Sequence, residues 1–259
     1  MMRLFIHPNK RTEQHTENVV YCINRLEEAL GAECSLTQEN SESIYGNANH
    51  SRFSPQDADM IVAVGGDGTV LYAAQYAIAS GKPLLGINNG RLGYLCALQL
   101  SDMEELTAER FDALKVSQRS LLRFCLNGEI HTALNDVIVS KGCFGESIEL
   151  QTEYNGILNR RWCGDGMVIA TPTGSSAYNL SAGGPFISHE VPAFALTPVC
   201  PHDPSMKSVV VSDSIPVNIR IMRAPSGKAV VYADGMYCGN TSGTIQIRRD
   251  ERTLALMCR

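Results

Sequence analysis

The chain has 259 residues, of which 44% are hydrophobic, and a formal net charge of −5. This length allows one large domain or two of roughly 100–150 residues. The acidic balance argues against a nucleic-acid or anionic-membrane surface, and no window approaches the roughly 18 consecutive apolar residues of a membrane span. The N-terminal stretch is too polar after Ile6 for a signal peptide. Nine cysteines, none at C-x-x-C spacing, favour reduced thiols in a cytoplasmic protein over a zinc site.

The first hundred residues alternate between strand and helix patterns. Apolar runs predict strands at 3–7, 59–64 and 83–87. Helical spacing predicts a helix over 13–30 and a second one that Thr69 caps and Gly81 ends. The polar residues 38–56 predict a surface loop. This alternation predicts a parallel α/β sheet with right-handed crossovers.

Beyond residue 100 the pattern changes to short strands with turn signals. An acidic helix over 101–110 is followed by predicted strands at 120–126, 130–140, 148–154, 167–170, 208–211, 216–222, 228–232 and 244–248. Asn127-Gly128, Asn155-Gly156 and residues 225–227 are turn signals between them. We therefore predict an α/β N-terminal domain with a parallel sheet, residues 1–99, followed by an all-β sandwich-like C-terminal domain, residues 100–259.

A glycine-rich turn with one carboxylate, GGDGT at 65–69, follows the predicted strand 59–64. Ligands bind at this end of strands in open α/β sheets, and glycines let backbone N–H groups approach an anion. The spacing matches neither a P-loop nor G-x-G-x-x-G. Asp67 would repel phosphate unless it held Mg²⁺ or accepted a proton from an attacking hydroxyl. A capping aspartate in a tight turn is the alternative interpretation.

Further polar residues stand at strand ends or interrupt strands. Asn88 opens the loop 88–93 after the next strand, and we expect it to face Asp67, because neighbouring parallel strands end side by side. Asn135 and Asp136 interrupt an apolar strand pattern and need partners, either a ligand's hydroxyls or a turn's amides. Asp234-Gly235 is an acidic turn that an ordinary hairpin tip would explain equally well.

The stretch 164–185, GDGMVIATPTGSSAYNLSAGGP, reads as strand, turn and short helix ended by Gly183-Gly184. Ser175 or Thr173 is the predicted helix cap. Exposed N–H groups, hydroxyls and a helix N-terminus suit a phosphate or a polyol, although an ordinary core segment would look similar. The turn is not G-x-S-x-G, and no His–Asp pattern accompanies it, so hydrolase chemistry is unsupported.

Taken in order, these motifs resemble those of the NAD kinases, which transfer a phosphoryl group to the 2′-hydroxyl of the adenosine ribose of NAD. The resemblance covers about residues 1–240 and consists of 65–69, NNGRLGYL at 88–95, ND at 135–136, the 164–185 stretch, ALTPVCPHDPSMKSVVV at 195–211 and DG at 234–235. GGDGT alone is shared with lipid kinases and phosphofructokinases. The TPTG stretch together with TPVCPH is far more specific.

The resemblance implies a role for each matching residue. Asp67 would contact the acceptor ribose and act as, or assist, the general base. The implied binding positions are Gly66, Gly68 and Thr69 at the phosphates, Asn88 near the acceptor, Asn135 and Asp136 at ribose hydroxyls, Asp165 at the nicotinamide half, and Thr173, Ser176, Ala177, Tyr178 and Ser181 at the adenine and nicotinamide ends. The resemblance also implies ATP or polyphosphate as donor with Mg²⁺, and association as homodimers or homotetramers.

The chain departs from the family pattern at a few positions. Asp136 occupies a position at which the family usually has Glu, Ser176 one with Thr and Tyr94 one with Phe. The sequence stops at Arg259, where the family typically runs on into a segment that packs back on the first domain, so weaker domain coupling or altered substrate affinity is expected. Two alternatives remain. One is a lipid or sugar kinase, for which no membrane-facing pattern is found. The other is a non-catalytic dinucleotide-binding module, against which Asp67 argues.

Overall fold

A computed structural model describes residues 1–9, 12–90 and 93–259. It divides into two compact units: unit 1 comprises Met1–Gln118 with Leu254–Arg259, and unit 2 comprises Arg119–Thr253. This division differs from the predicted boundary at 99/100. Met103, Leu106 and Phe111 explain the difference, because these three buried side chains belong to the core of unit 1.

Unit 1 is built on a parallel sheet. Its strands are β1 (Arg3–Pro8), β2 (Glu33–Ser35), β3 (Met60–Val64), β4 (Leu84–Asn88) and β5 (Leu98–Gln99), and its helices are α1 (Glu13–Leu30), α2 (Gln38–Tyr45), α3 (Asp67–Ser80) and α4 (Ala108–Asp112). The order β2-β1-β3-β4 is parallel throughout, which confirms the predicted α/β class. Apolar side chains from the sheet and from α1 form its core.

The predicted helix over 13–30 is confirmed as α1. The Thr12 side chain accepts a hydrogen bond from the backbone N–H of His15 at 3.2 Å and so caps the helix. Val19 and Leu26 are fully buried on one face. Gly31 ends the helix at φ 59°, a left-handed conformation that glycine adopts at little cost.

The predicted loop over 38–56 is wrong, because this segment contains α2. Thr37 accepts a hydrogen bond from the Asn40 N–H at 3.2 Å, and Gly46 ends the helix at φ 71°. The helix buries Ser41, whose hydroxyl donates to the Asn47 carbonyl at 2.7 Å. Capping and buried hydrogen bonds therefore stabilise a helix that polar composition alone does not suggest.

Replacing Thr37 with alanine should lower the free energy of unfolding by about 1 kcal/mol, because the Asn40 N–H loses its capping acceptor. Thr37→Ser is the matched control, since serine keeps the hydroxyl. Urea denaturation followed by circular dichroism at the helix band measures both variants. Equal midpoints for Thr37→Ala and the unmodified chain would contradict the capping role.

The predicted acidic helix over 101–110 is also wrong as one element. The chain instead forms a 3₁₀ turn, Leu100–Met103, and then α4, which Thr107 caps by accepting the Arg110 N–H at 3.3 Å. Asp102 accepts the Gln99 N–H at 2.6 Å. Two separate N-terminal caps, at Gln99 and Thr107, divide this stretch.

The C-terminal six residues belong to unit 1, contrary to the expectation that the chain lacks a returning segment. In the last strand of the chain, Leu256 pairs with Leu84 of β4 in parallel. The Arg259 side chain donates to the Ala97 carbonyl at 2.7 Å and forms an ion pair with Asp102.

Unit 2 contains two antiparallel sheets. Its strands are β6 (Lys115–Leu126), β7 (Glu129–Ala133), β8 (Asp136–Ser140), β9 (Ile148–Tyr154), β10 (Leu158–Gly164), β11 (Gly166–Ala170), β12 (Ala193–Val199), β13 (Val209–Ser212), β14 (Val217–Arg223), β15 (Ala229–Ala233), β16 (Met236–Thr241) and β17 (Thr244–Cys258). The first four residues of β6 and the last five of β17 belong to unit 1. One sheet runs β10-β9-β14-β17 and the other β13-β12-β11-β8-β15-β16. A shared apolar core joins them, which confirms the predicted sandwich.

Several strand predictions in unit 2 need correction. The predicted strand 130–140 is broken into β7 and β8, because residues 134 and 135 leave the ladder. Three strands were not predicted: β10, whose middle residues are charged and exposed, and β12 and β16. The Asn127-Gly128 hairpin is confirmed, with φ of 53° and 87° at its two positions. Within the described ranges, no helix is long and apolar enough to cross a membrane.

Candidate active site

The GGDGT turn leads from β3 directly into α3. Gly65 donates its N–H to the Ile87 carbonyl at 2.9 Å, and the helix begins at Asp67 with Gly66 as the N-terminal cap. The prediction that Thr69 caps this helix is therefore wrong, since Thr69 lies within the first turn and donates its N–H to the Gly66 carbonyl. A Cβ at Gly65 would lie 2.3 Å from the Thr69 hydroxyl, so this position requires glycine. Gly68 is exposed.

The Asp67 carboxylate is half-buried and held by backbone N–H groups of the loop after β4. Tyr94 donates to Oδ2 at 2.9 Å and Leu95 to Oδ1 at 3.1 Å. A Cβ at Gly93 would lie 2.2 Å from Oδ1, so only glycine permits this approach. A carboxylate has about four acceptor positions, so the two used here fix its orientation and leave others for a substrate hydroxyl. Within the 88–95 motif, Arg91 and Leu92 lie outside the described residues.

Asn88 ends β4 at the same sheet edge as the GGDGT turn, since Val64 and Ile87 are paired. Its side chain is 2% exposed and donates to the Gln99 side chain at 2.7 Å. Its amide nitrogen is thus directed at Gln99, and its Oδ1 has no hydrogen-bond partner in the described part of the chain. A polar cavity of about 420 Å³ adjoins it, lined by Gln14, His15, Asn18, Asn89, Gly90, Gln99, Leu100 and Ser101.

In unit 2, the Asp234 carboxylate binds the backbone between β7 and β8. Asp234 and Gly235 form the tip of the β15–β16 hairpin, with φ of 50° and 78°. Leu134 donates its N–H to Asp234 Oδ2 at 2.8 Å, while the N–H groups of Asn135 and Asp136 reach Oδ1 at 2.7 and 3.2 Å. The sequence suggested an acidic turn or a hairpin tip at Asp234. Its bonds to residues 134–136 were missed, although two polar residues in a strand signal a need for such partners.

Residues 171–174 pack against the same backbone segment. Thr171 donates its N–H to the Asn135 carbonyl at 2.9 Å and its hydroxyl to the Leu134 carbonyl at 2.6 Å. The Thr171 hydroxyl also accepts the Gly174 N–H at 3.1 Å. Strand break, hairpin tip and TPTG turn thus form one buried hydrogen-bonded network.

Gly174→Ala should lower the free energy of unfolding of unit 2 by about 1–3 kcal/mol. A Cβ at Gly174 would lie 2.1 Å from the Asn135 carbonyl oxygen, which is backbone and cannot rotate away. The buried Trp162 is the single tryptophan of the chain and lies in unit 2, so its fluorescence during urea denaturation measures this loss. Gly243→Ala is the control in unit 2, because a Cβ there comes no closer than 3.7 Å to a neighbouring atom and the φ of Gly243 is not in the positive region. An equal effect at both glycines would contradict the steric argument.

Burial raises the pKa of both carboxyl groups of this network. Burial, followed by the neighbouring Asp234, raises the pKa of Asp136 to about 7. Burial also raises the pKa of Asp234 to about 6, against the opposing effect of three N–H donors. Those donors favour the charged form of Asp234, whereas the Asp136 carboxylate accepts no hydrogen bond from the described residues. The environment therefore favours the neutral form more strongly at Asp136 than at Asp234.

The predicted cap at Ser175 or Thr173 is wrong. The chain forms a 3₁₀ turn, Gly174–Ser176, and then a short helix α5, Tyr178–Ser181, without a side-chain cap. The Ser175 hydroxyl is used elsewhere, since it donates to the Pro172 carbonyl at 2.7 Å and accepts the Ile187 N–H at 2.9 Å. The helix ends at Ser181, two residues before the predicted glycine stop.

Exposure increases along 173–181, except at the buried Asn179. Asn179 is fully buried, donates to the Ser175 and Pro185 carbonyls at 3.0 and 2.9 Å, and accepts the Thr197 hydroxyl. Of the predicted binding residues, Tyr178 and Ser181 are exposed, Ser176 and Ala177 are half-buried and Thr173 is buried. Asn179 therefore holds the loop from inside, a role that sequence reasoning missed.

Asp165 and Tyr178 line one cavity of about 340 Å³ in unit 2. Asp165 forms an ion pair with Lys141, with 2.7 Å between Oδ1 and Nζ. Tyr232, Ile138 and Phe144 supply apolar walls. The structure thus brings together two of the predicted binding residues and adds Lys141, which the sequence did not single out.

The chain matches two domain families described as the ATP-NAD kinase N-terminal domain, over residues 12–112, and the ATP-NAD kinase C-terminal domain, over residues 134–256. It is 31% identical over 246 residues to the NAD kinase of Acetivibrio thermocellus, an alignment that covers 91% of this chain and 84% of that protein. The chain belongs to the NAD kinase family. It is therefore a kinase, and the resemblance noted from its motifs is confirmed.

Solved structures of this family share the fold. Yeast NADH kinase complexed with NADH superposes with a TM-score of 0.86 at 22% identity, covering 100% of this chain and 84% of that one. An NAD kinase from Archaeoglobus fulgidus in complex with ATP gives a TM-score of 0.75 at 26% identity, covering 99% of this chain and 93% of that one. Both superpositions support the same fold for this chain.

Proposed function

We propose that the protein phosphorylates the 2′-hydroxyl of the adenosine ribose of NAD to give NADP, with ATP or polyphosphate as donor. The observation that carries this proposal is the orientation of the Asp67 carboxylate by the N–H groups of Tyr94 and Leu95, at the carboxyl end of a parallel strand. Membership of the NAD kinase family supports NAD as the acceptor. ATP is supported by the Archaeoglobus relative, which was solved in complex with it.

In this proposal Asp67 accepts the proton of the attacking ribose hydroxyl. A ribose hydroxyl is a poor nucleophile, and a positioned carboxylate within hydrogen-bond reach assists it. Phosphoryl transfer otherwise depends mainly on positioning and charge compensation. Gly66, Gly68 and Thr69 would present backbone N–H groups and a hydroxyl to the phosphates at the N-terminus of α3, and Asn88 would lie near the acceptor.

The other predicted dinucleotide contacts are assigned to residues of unit 2. Asn135 and Asp136 would hold ribose hydroxyls, and Asp165 would meet the nicotinamide half. Thr173, Ser176, Ala177, Tyr178 and Ser181 would contact the two bases. The exposed ring of Tyr178, which lines a cavity with Asp165, supports base stacking there.

We propose that Mg²⁺ enters with the donor, as part of the substrate. Among residues 1–9, 12–90 and 93–259, no group of three His, Cys, Asp or Glu side chains could hold a metal ion. Phosphate oxygens are ordinary Mg²⁺ ligands, so the donor itself can carry the ion and offset the charge of Asp67. We also propose a cytoplasmic protein, since all nine cysteines are free thiols, and a homodimer or homotetramer, which light scattering would measure.

The test is direct. Purified full chain is incubated with NAD or NADH and with Mg²⁺ plus ATP or polyphosphate, and NADP is detected with a dehydrogenase that requires the 2′-phosphate. We expect NADP or NADPH from at least one donor. No product from either donor, with NAD binding intact by calorimetry, would identify a binding module instead. Phosphorylation of a lipid or sugar acceptor in parallel reactions would identify a different kinase.

A further inference from the structure

The backbone of residues 134–136 has unusual hydrogen-bonding needs. β7 ends at Ala133, and the pairing of β8 begins at Asp136, opposite Ala170. A buried N–H without a partner costs about 1–3 kcal/mol, so the three N–H groups of this segment require acceptors. The Asp234 carboxylate accepts all three, and the Asp234 N–H in turn donates to the Asp136 carbonyl at 3.0 Å.

The side chains of this segment contrast with its backbone. The Asn135 backbone is fixed on both sides, by Asp234 at its N–H and by Thr171 at its carbonyl. Its Oδ1, however, has no hydrogen-bond partner among the described residues, and no hydrogen bond to a carboxylate oxygen of Asp136 is found among them. A rigid backbone that carries two buried side chains with unused polar atoms is prepared to receive a ligand.

We infer that Asp234 is a positioning residue for the acceptor dinucleotide: it holds the backbone of residues 134–136 and so directs Asn135 and Asp136 at a ribose. This inference rests on the proposed function for the identity of the ligand. Asp234 does not itself contact the dinucleotide, because it is 8% exposed and its oxygens are occupied by the three N–H groups. Charge-assisted bonds of this kind are about twice as strong as neutral ones.

The same carboxylate also organises the TPTG turn. Asp234 fixes residues 134 and 135. The Leu134 carbonyl then accepts the Thr171 hydroxyl, and the Asn135 carbonyl accepts the Thr171 N–H. The Thr171 hydroxyl then accepts the Gly174 N–H, next to the Thr173 position. Loss of Asp234 should therefore loosen two groups of predicted binding residues through one backbone segment.

Asp234→Asn tests the inference. Asparagine tolerates the positive φ of this hairpin tip. Its NH2 group, however, replaces the oxygen that accepts the Leu134 N–H, so that hydrogen bond is lost. We expect amide hydrogen exchange at residues 134–136 to quicken by about tenfold or more, the factor that about 1.4 kcal/mol produces. We expect the KM for NAD to rise by about tenfold and kcat to stay within about threefold.

Asp213→Asn is the matched control. Asp213 is a buried aspartate of unit 2 that is ion-paired with Arg249 at 3.2 Å, so its loss affects stability without touching residues 134–136. We expect its KM to stay unchanged. Asp234→Gly is a second variant, which keeps the turn because glycine favours positive φ, and it serves if Asp234→Asn does not fold.

The outcomes separate the inference from the proposed function. Unchanged exchange at residues 134–136 overturns the positioning role whether or not the chain phosphorylates NAD. Faster exchange with unchanged KM overturns the link from this backbone to the dinucleotide. If the unmodified chain does not phosphorylate NAD, the proposed function fails, and the exchange measurement still decides whether Asp234 holds the segment.

Discussion

Asp67→Asn should lower kcat by at least about 100-fold, the lower range for loss of a general base, and leave NAD affinity within about tenfold. The carboxamide cannot accept a proton from the ribose hydroxyl at neutral pH. It keeps the size of the side chain, and its oxygen can still accept a hydrogen bond from one of the two N–H groups that hold the carboxylate. Turnover should therefore fall much further than binding. Steady-state kinetics and calorimetry measure the two effects separately.

The control for Asp67→Asn is an exposed aspartate of the same unit. Asp57→Asn changes an exposed aspartate of unit 1, at the 3₁₀ turn Pro55–Asp57, and should leave turnover within about threefold. Turnover equal to that of the unmodified chain would refute the base assignment. A tenfold or larger loss of NAD affinity would instead assign Asp67 to binding.

The parts of the fold that the sequence predicts correctly are those in which local chemistry and packing agree. α1 has a threonine cap, a regular apolar face and a glycine stop, and its bounds are predicted at both ends. The Asn127-Gly128 hairpin follows from residues that accept positive φ. α2 was missed because its buried face consists of Asn40 and Ser41, whose burial depends on hydrogen bonds that periodicity does not show.

The candidate site shows the same limit more sharply. The motifs singled out Asp67 and the 173–181 stretch because they occur together in the order found in the NAD kinases, whereas each turn alone has an ordinary structural explanation. They could not show that Asp67 is held by residues 94–95, or that Asp234 serves residues 134–136, about a hundred positions away in sequence. Such partners are set by the tertiary fold, and a single sequence carries no signal of that pairing.

Asp136→Asn should raise the free energy of unfolding at pH 8 by a few kcal/mol and change it little at pH 4. The reason is the buried carboxyl pair. Burial, and then the charge of Asp234, raises the pKa of Asp136 from the usual 3.8 to about 7 in the folded chain. At about 1.4 kcal/mol for each tenfold change in proton affinity, this rise corresponds to about 4 kcal/mol.

The sign follows from proton binding. Below pH 4 Asp136 is protonated in both the folded and the unfolded chain, so its ionisation costs the folded state no stability. Between pH 4 and pH 7 the unfolded chain has released the proton while the folded chain keeps it, so stability falls as pH rises. Above pH 7 the folded chain carries a buried charge beside Asp234. Asparagine mimics the neutral acid in size and removes this loss, so the variant gains most at high pH.

Urea denaturation at several pH values, followed by Trp162 fluorescence, measures this effect in the unit that contains Asp136. Asp112→Asn, at an exposed position of unit 1, is the control and should follow the pH dependence of the unmodified chain. A pH-independent difference between Asp136→Asn and the unmodified chain would refute the buried proton.

The same proton bears on ligand binding. Below pH 7 the protonated Asp136 carboxyl can donate a hydrogen bond to a ribose hydroxyl, whereas above pH 7 the carboxylate can only accept one. The KM for NAD should then change across pH 7 in the unmodified chain and stay flat in Asp136→Asn.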